Sequence, residues 1–327
     1  MRPHPARGAR ANRPTRALLG VAVALGACAP SSGDGAEAPA PEVRLPAQHS
    51  ATNGFVNQCL VETAASVVAV DAGFLLSDVE AVEAMIDSIG KPLRAILVTH
   101  AHLDHTNGVA RLSDDGAVPA YAPPRTILEH EVRDYSERLP HLRSLYPPGV
   151  PRLTPVRDGF ELDVDGVVFR LLEMGPGESE WDAVWTVGGE RPSHVFVGDL
   201  LLNQVHAFFQ SGRSMEWIRS LDDLLELTPA DARVYAGHGP PEAGRHELSW
   251  QRDYIVRARE AVPRVAGGAD SLSDDAERRL YAEMSSWLPP NRLDFLILLG
   301  GDVLASELAL EAERRVVDEK LAALGGS

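Results

Sequence analysis

The stretch AILVTHAHLDHTNG (residues 95–108) decides how the rest of the chain is read. It opens as a short aliphatic run, RAILVTH (94–100), with the length and composition of a buried strand. The run ends on His100, and His102, Asp104 and His105 follow within six positions, giving H-x-H-x-D-H. Imidazole and carboxylate are preferred ligands of zinc, iron and manganese. In a tight loop at a strand end, alternate residues point to different sides, so one loop can serve two neighbouring ions. Four specified residues at this spacing arise by chance in roughly one sequence per thousand, which makes the motif far stronger than a lone histidine. Ligand sites in α/β sheets lie beyond the carboxyl ends of strands, and these residues stand at such an end.

Upstream, GFVNQCLVE (54–62) and SVVAVDAG (66–73) read as strands. LLSDVEAVEAMIDSIG (75–90) carries Val79, Val82, Met85, Ile86 and Ile89 at helical spacing and closes on Gly90. Downstream, GVVFRLLEM (166–174), HVFVGDLLL (194–202) and ARVYAGHG (232–239) read as strands. EWIRSLDDLLEL (216–227) and residues 245–262 read as helices. Residues 263–327 are expected to be all-helical, with Gly300-Gly301 preceding a last helix over 302–324. Its apolar positions Val303, Leu304, Leu308, Val316, Val317 and Leu321 suit core packing or a dimer seam. Residues 123–155, with seven prolines, read as an insertion or lid near the site.

The chain has 327 residues and a formal net charge of −16, which argues against nucleic acid as a partner. Lys91 and Lys320 are its only lysines, so a catalytic lysine is not expected. Residues 1–27 carry five arginines and no acid, then an apolar run too short to span a bilayer. Leu25-Gly26-Ala27-Cys28 resembles the lipobox of a bacterial lipoprotein signal peptide. That resemblance implies cleavage before Cys28, acylation of Cys28, and a lipid anchor in the cell envelope on the periplasmic or extracellular side of a membrane. Ala29 after the cysteine leans toward the outer membrane. Residues 28–47, rich in Ala, Pro, Ser and Gly, read as a flexible tether, with folded structure starting near Gln48. The expected organisation is signal peptide 1–27, tether 28–47, a main α/β domain 48–262 and C-terminal helices 263–327. Cys59, in an apolar run, reads as a buried inert thiol.

Three further segments join the opening motif. Gly198-Asp199-Leu200 follows a buried strand, Gly237-His238-Gly239 follows another, and Asp71 ends VVAVD. With His100, His102, Asp104 and His105, this order resembles the metallo-β-lactamase superfamily of metallohydrolases over about residues 48–260. The resemblance implies a four-layer αβ/βα sandwich with the site at one edge. It implies Asp199 as a bridging ligand, His238 as the last histidine ligand, and Asp71 as a structural residue behind the ligands.

One position departs from that pattern. The family's histidine in a Gly-rich turn falls here on Glu178, in GPGESEWD (175–182), and no histidine lies between His141 and His194 to take its place. Either Glu178 is a ligand, or that site is weak; Glu180 and Asp182 are lesser candidates. With Glu178, the sets are His100/His102/Glu178 and Asp104/His105/His238, with Asp199 between them. Two divalent ions are implied, zinc first, with manganese or iron(II) favoured by the extra carboxylate. A water ionised between such ions attacks the substrate, and Asp104 or Asp199 moves its proton. Esters, thioesters, lactones, amides and phosphoesters all suit such a small-molecule site. The aspartate at 199 leans toward the esterase, lactonase or hydroxyacyl-thioester branch. The alternatives are an iron-dependent oxygenase or redox protein of the same fold, and a metal-binding lipoprotein without turnover. Asn203 and His206 read as pocket lining or as a polar loop closed by buried Phe208 and Phe209. Trp181 and Trp185 read as packing residues. His130, His141, His194 and His246 read as surface residues.

Overall fold

The computed structural model describes residues 41–44, 54–132 and 140–325. The expected signal peptide, Cys28 and the side chain of His141 lie outside what is described.

Two six-stranded sheets are formed among the described residues. The first runs, in spatial order, β1 (Glu42–Arg44), β2 (Cys59–Glu62), β3 (Val67–Val70), β4 (Leu93–Leu97), β5 (Ala120–Ala122) and β6 (Thr154–Pro155). β1, β2 and β3 pair antiparallel, and β3 to β6 pair parallel. The second runs β7 (Glu161–Val164), β8 (Val167–Gly175), β9 (Asp182–Val187), β10 (His194–Leu202), β11 (Arg233–His238) and β12 (Glu242–Ala243), with β10 and β11 parallel and the other pairs antiparallel.

The alternation of side chains along each strand builds the layers. Val68 and Val70 of β3 point inward to Phe169, Leu171, Trp185 and Phe196 of the second sheet. Val67 and Ala69 point outward to Val79 and Val82 of helix α1 (Leu76–Ile89). On the far side, Val195 and Val197 of β10 meet α5 (Ser214–Leu227) and α6 (Arg245–Ala266). Strands buried on both faces read as unbroken apolar runs, which is why VVAV and HVFV carry almost no polar residue. The result is the helix–sheet–sheet–helix sandwich the sequence implied. Two short helices, α2 (Leu103–Thr106) and α3 (Val109–Leu112), follow β4, and α4 (Pro124–Val132) follows β5.

Residues beyond 266 form α7 (Asp274–Met284) and α8 (Phe295–Gly325). Their Leu280, Met284, Leu293, Ile297 and Leu304 share one core with Trp217, Leu221 and Tyr254. Glu307 of α8 accepts hydrogen bonds from the backbone N–H groups of Ser214 (3.1 Å) and Met215 (3.3 Å) and from Arg259 (3.1 Å). A carboxylate from one helix thus caps the first turn of another, where the unpaired amides carry partial positive charge.

Several expectations are corrected. Residues 42–44, placed in the tether, form an edge strand on β2 because Val43 finds apolar cover against the inter-sheet core. α8 starts at Phe295, and Gly300 and Gly301 lie inside it. A side chain at Gly300 would press on Phe209 at 3.1 Å, so the glycine lets α8 lie close against the loop that carries Phe209. Leu304 of that helix is buried, while Val316, Val317 and Leu321 are exposed. His194 is buried and stacks on Tyr235, with ring centroids 6.0 Å apart.

Candidate metal centre

The motif loop leaves β4 through Val98 and Thr99, and His100 is fully buried. His102 stands at the N-terminal cap of α2, and its carbonyl accepts the amides of His105 and Thr106 (both 3.1 Å). Asp104 and His105 sit on that single turn. Behind it, Asp71 adopts φ 60°, a left-handed conformation that Asp tolerates better than most residues. Its carboxylate accepts from the Thr99 amide (2.9 Å), the Thr99 hydroxyl (2.9 Å) and His105 Nδ1 (2.8 Å). The Thr99 hydroxyl also faces His100 Nδ1 at 3.1 Å. Asp71 therefore sets the orientation of two imidazoles, one directly and one through Thr99.

The other ligand-type residues come from the second sheet. The turn between β8 and β9 packs so closely that a side chain at Gly177 would meet Leu200 at 2.6 Å and Asp182 at 2.8 Å. Asp182 holds the turn by accepting the Ser179 amide (3.1 Å), and Glu178 projects inward, 2% exposed. On β10, the pairing with β11 shifts register around Gly198 (φ 51°), and Asp199 turns into the site. A side chain at Gly237 would lie 1.9 Å from Asp199 Oδ1, so only glycine leaves that carboxylate room. His238 ends β11, its Nδ1 2.7 Å from the carbonyl of Gly54.

Two ligand sets result: His100, His102, Glu178 and Asp199; and Asp104, His105 and His238. Within each, one ligand atom per residue lies within 4.8 Å of the others. Glu178 Oε2 is 2.9 Å from His102 Nδ1 and 3.7 Å from His100 Nε2. Asp199 stands between the sets, with Oδ2 3.7 Å from His100 Nε2 and 3.2 Å from His238 Nε2, and Oδ1 3.2 Å from His105 Nε2. Asp104 Oδ2 is 3.1 Å from His238 Nε2. The rings of His105 and His238 are 5.5 Å apart.

The electrostatics favour cations. Burial works against charge on the histidines, yet the Glu178 carboxylate lifts His102 to about 9, and Asp199 with Asp104 lifts His238 to about 10. His105 is raised against the same burial, by Asp199 and Asp71. Burial and the charge of His105 push His100 down, leaving it neutral. Asp199 is held well below the usual carboxylate range despite burial, by His238 and His105. Burial pushes Glu178 up to about 7. The test of fit to metal ions is the buried polar inventory. His100 Nε2, His105 Nε2, Glu178 Oε2 and Asp199 Oδ1 are all buried without an aligned hydrogen-bond partner, and all four point into the cluster. Divalent ions suit such a donor set.

The seven proposed ligands thus converge, and Asp71 lies behind them. Glu180 and Asp182 do not join: Glu180 pairs with Arg213 at 3.4 Å, and Asp182 serves its own turn. Asn203 is buried on the carbonyl of Pro240 (2.7 Å), and His206 on Tyr254 (2.7 Å), so both are structural. Phe208, expected to be buried, is only partly buried, with its ring edge-on to His102 at 6.0 Å. Cys59 is buried, and burial pushes its thiol far above the ordinary range. Sequence reasoning missed Thr99 and the Gly54 carbonyl. Thr99 stands beside the motif, but a hydroxyl there carries no pattern of its own. Gly54 is 184 residues from His238 and acts through its backbone.

Comparison with known proteins agrees with this geometry. Residues 51–238 match the profile of the Metallo-beta-lactamase superfamily. A beta-lactamase-like protein 2 homolog of Caenorhabditis elegans is 24% identical over 239 residues, covering 71% of this chain and 72% of that protein. A hydroxyacylglutathione hydrolase of Methylobacillus flagellatus is 30% identical over 200 residues, covering 60% of this chain and 70% of that one. A solved metallo-beta-lactamase family protein from Thermus thermophilus shares the fold, with a TM-score of 0.58 at 23% identity, covering 83% of this chain and 93% of its own. The chain belongs to the metallo-β-lactamase superfamily.

Proposed function

We propose that this chain is a dinuclear metal-dependent hydrolase of activated acyl bonds, with thioesters as the favoured substrate class. One observation carries the reading: seven ligand-type side chains from four separate segments meet in two sets with Asp199 between them. The identity to a hydroxyacylglutathione hydrolase supports the thioester. So does an aspartate at 199, where the resemblance associates cysteine or serine more often with β-lactam hydrolysis. Esters, lactones, amides and phosphoesters suit the same chemistry.

His100, His102 and Glu178 would hold one ion, Asp104, His105 and His238 the other, and Asp199 both. When bound, two divalent ions polarise the acyl oxygen and acidify water toward neutral pH. The chain's own residues do the rest. Asp104 lies on the open side, its side chain 25% exposed; with Oδ2 turned to His238, its other oxygen, Oδ1, takes up the proton from the attacking water and returns it to the leaving group. Asp199, 4% exposed, orients the attacking oxygen from its place between the two sets. Asp71, Thr99 and the Gly54 carbonyl fix three imidazole rings, so little reorganisation is left for the reaction step. Phe208 beside His102 supplies an apolar wall.

The test is chelator-stripped protein reloaded with zinc, manganese or iron(II). It is assayed on thioester, ester, lactone, β-lactam and phosphodiester substrates beside His102→Ala. Thioester hydrolysis lost in the control with folding intact is expected. Equal rates in both would end the proposal. The two-histidine, one-carboxylate donor sets favour one second reading, an iron-dependent oxygenase. Turnover that consumes oxygen would select it, and hydrolysis under anaerobic conditions would reject it. The basic leader and Leu25-Gly26-Ala27-Cys28 support an enzyme acylated at Cys28 and held in the bacterial cell envelope. Labelled palmitate incorporated by the full chain and lost in Cys28→Ser tests that placement.

A further inference from the structure

The two donor sets are chemically alike. His100, His102 and Glu178 offer two imidazoles and a carboxylate, and so do His105, His238 and Asp104. Asp199 faces both sets, its two oxygens 3.2 Å from His105 Nε2 and His238 Nε2 and one of them 3.7 Å from His100 Nε2. Glu178 is no bystander in this arrangement. Its Oε2 lies between His102 Nδ1 (2.9 Å) and His100 Nε2 (3.7 Å), and it is buried with no aligned hydrogen-bond partner. A histidine at 178 would give the first set three nitrogens against the second set's two, and the pair would be unequal in donor type and in charge.

The geometry points to two near-equivalent sites, each of two histidines and one carboxylate, sharing Asp199 and binding two like divalent ions with similar affinity. Two physical reasons support this. Donor type sets the preference among first-row ions. Imidazole widens the advantage of zinc over manganese and iron(II), and exchanging one imidazole for a carboxylate narrows it without reversing the order. Charge sets the spacing of the two binding steps. Three carboxylates face two divalent ions here, one more than a histidine at 178 would allow, so repulsion between the ions is better neutralised. The inference rests on the ligand assignment proposed above and extends it to metal selectivity.

The experiment uses the full-length chain stripped with a chelator and titrated with manganese(II) under electron paramagnetic resonance. Zinc is titrated in parallel against a competing chromophoric chelator. The wild-type protein is expected to bind two ions per chain with stepwise constants within about tenfold. An exchange-coupled manganese spectrum should appear alongside the mononuclear signal before one equivalent is bound, and not only after the first site is full. Glu178→His is expected to separate the two zinc steps by more than about tenfold, and to raise the zinc-over-manganese preference by at least about tenfold. Wild-type steps already further apart than that, or ratios unchanged in Glu178→His, would overturn the inference while leaving the hydrolase reading intact. A wild-type chain that takes up no divalent ion would sink both. If Glu178→His does not fold, the wild-type titration decides alone.

Discussion

Asp71 is the residue whose replacement tests the centre most directly without touching a ligand. Its carboxylate is 3% exposed and accepts three hydrogen bonds, two from Thr99 and one from His105 Nδ1. Asp71→Ala orphans the Thr99 amide and the His105 N–H, while the Thr99 hydroxyl can turn elsewhere. Each buried donor left unpaired costs about 1–3 kcal/mol. Alanine at φ 60° adds roughly 1–2 kcal/mol. The total, about 3–8 kcal/mol, rivals the whole stability of an ordinary domain, so this variant is expected to fold poorly. Asp71→Asn is the sharper probe. Asparagine accepts the left-handed backbone and keeps one carbonyl acceptor, but sets an NH₂ group against a donor. A loss of about 2–4 kcal/mol is expected in chemical denaturation of chelator-treated protein. The loosened imidazole at 105 should weaken ion binding to the Asp104/His105/His238 set by roughly 10–100-fold, read by chelator competition. Reduced stability with both ions held as tightly as in the wild type would refute the reasoning, because Asp71 would then support folding with no hold on the ring.

Three more outcomes are expected. Glu307→Ala removes the cap of α5 and the partner of Arg259, both in a nearly buried network, and should cost about 3–5 kcal/mol in thermal or chemical unfolding. Glu311→Ala, on the same arginine but one-third exposed, should cost under about 1 kcal/mol; equal losses would contradict the capping role. Gly237→Ala places a methyl group 1.9 Å from Asp199 Oδ1. Hydrolysis should fall by at least about 100-fold and the ion content measured by mass spectrometry should drop; a fully loaded, active variant would show that Asp199 need not stand there. Metal uptake should release protons at neutral pH. His102 near 9 and His238 near 10 carry protons that an ion must displace, so apparent affinity rises with pH until those values are passed. Calorimetry in buffers of different ionisation enthalpy checks this, and heats independent of buffer would count against it.

The legible part of the fold was the part with local periodicity. VVAV, HVFVGDLLL and the helix over 76–89 declare themselves because burial on one or both faces writes a repeat into consecutive residues. β9 escaped because its DAVWTV follows the polar turn without a break signal, and β5 because three residues are too few to show a period. His194 misled for a related reason. A histidine in an exposed-looking SH pair is buried by Tyr235, 41 positions away, and no local pattern encodes that neighbour.

The sequence by itself determined the chemistry of the centre: His100, His102, Asp104 and His105 are close in the chain, so their convergence costs little beyond one strand end and one helical turn. It also determined, through the order of Asp71, Asp199 and His238, which family of folds could bring the remainder together. The family pattern pointed to Glu178, but only the tertiary structure decided that this carboxylate, and not Glu180 or Asp182, enters the site. Glu178, Glu180 and Asp182 are equivalent in composition. They are separated by the close packing of Gly177 on Leu200 and by Asp182 closing the turn on the Ser179 amide. That choice depends on contacts with a strand more than twenty residues away, and such long-range packing leaves no periodic trace in the sequence.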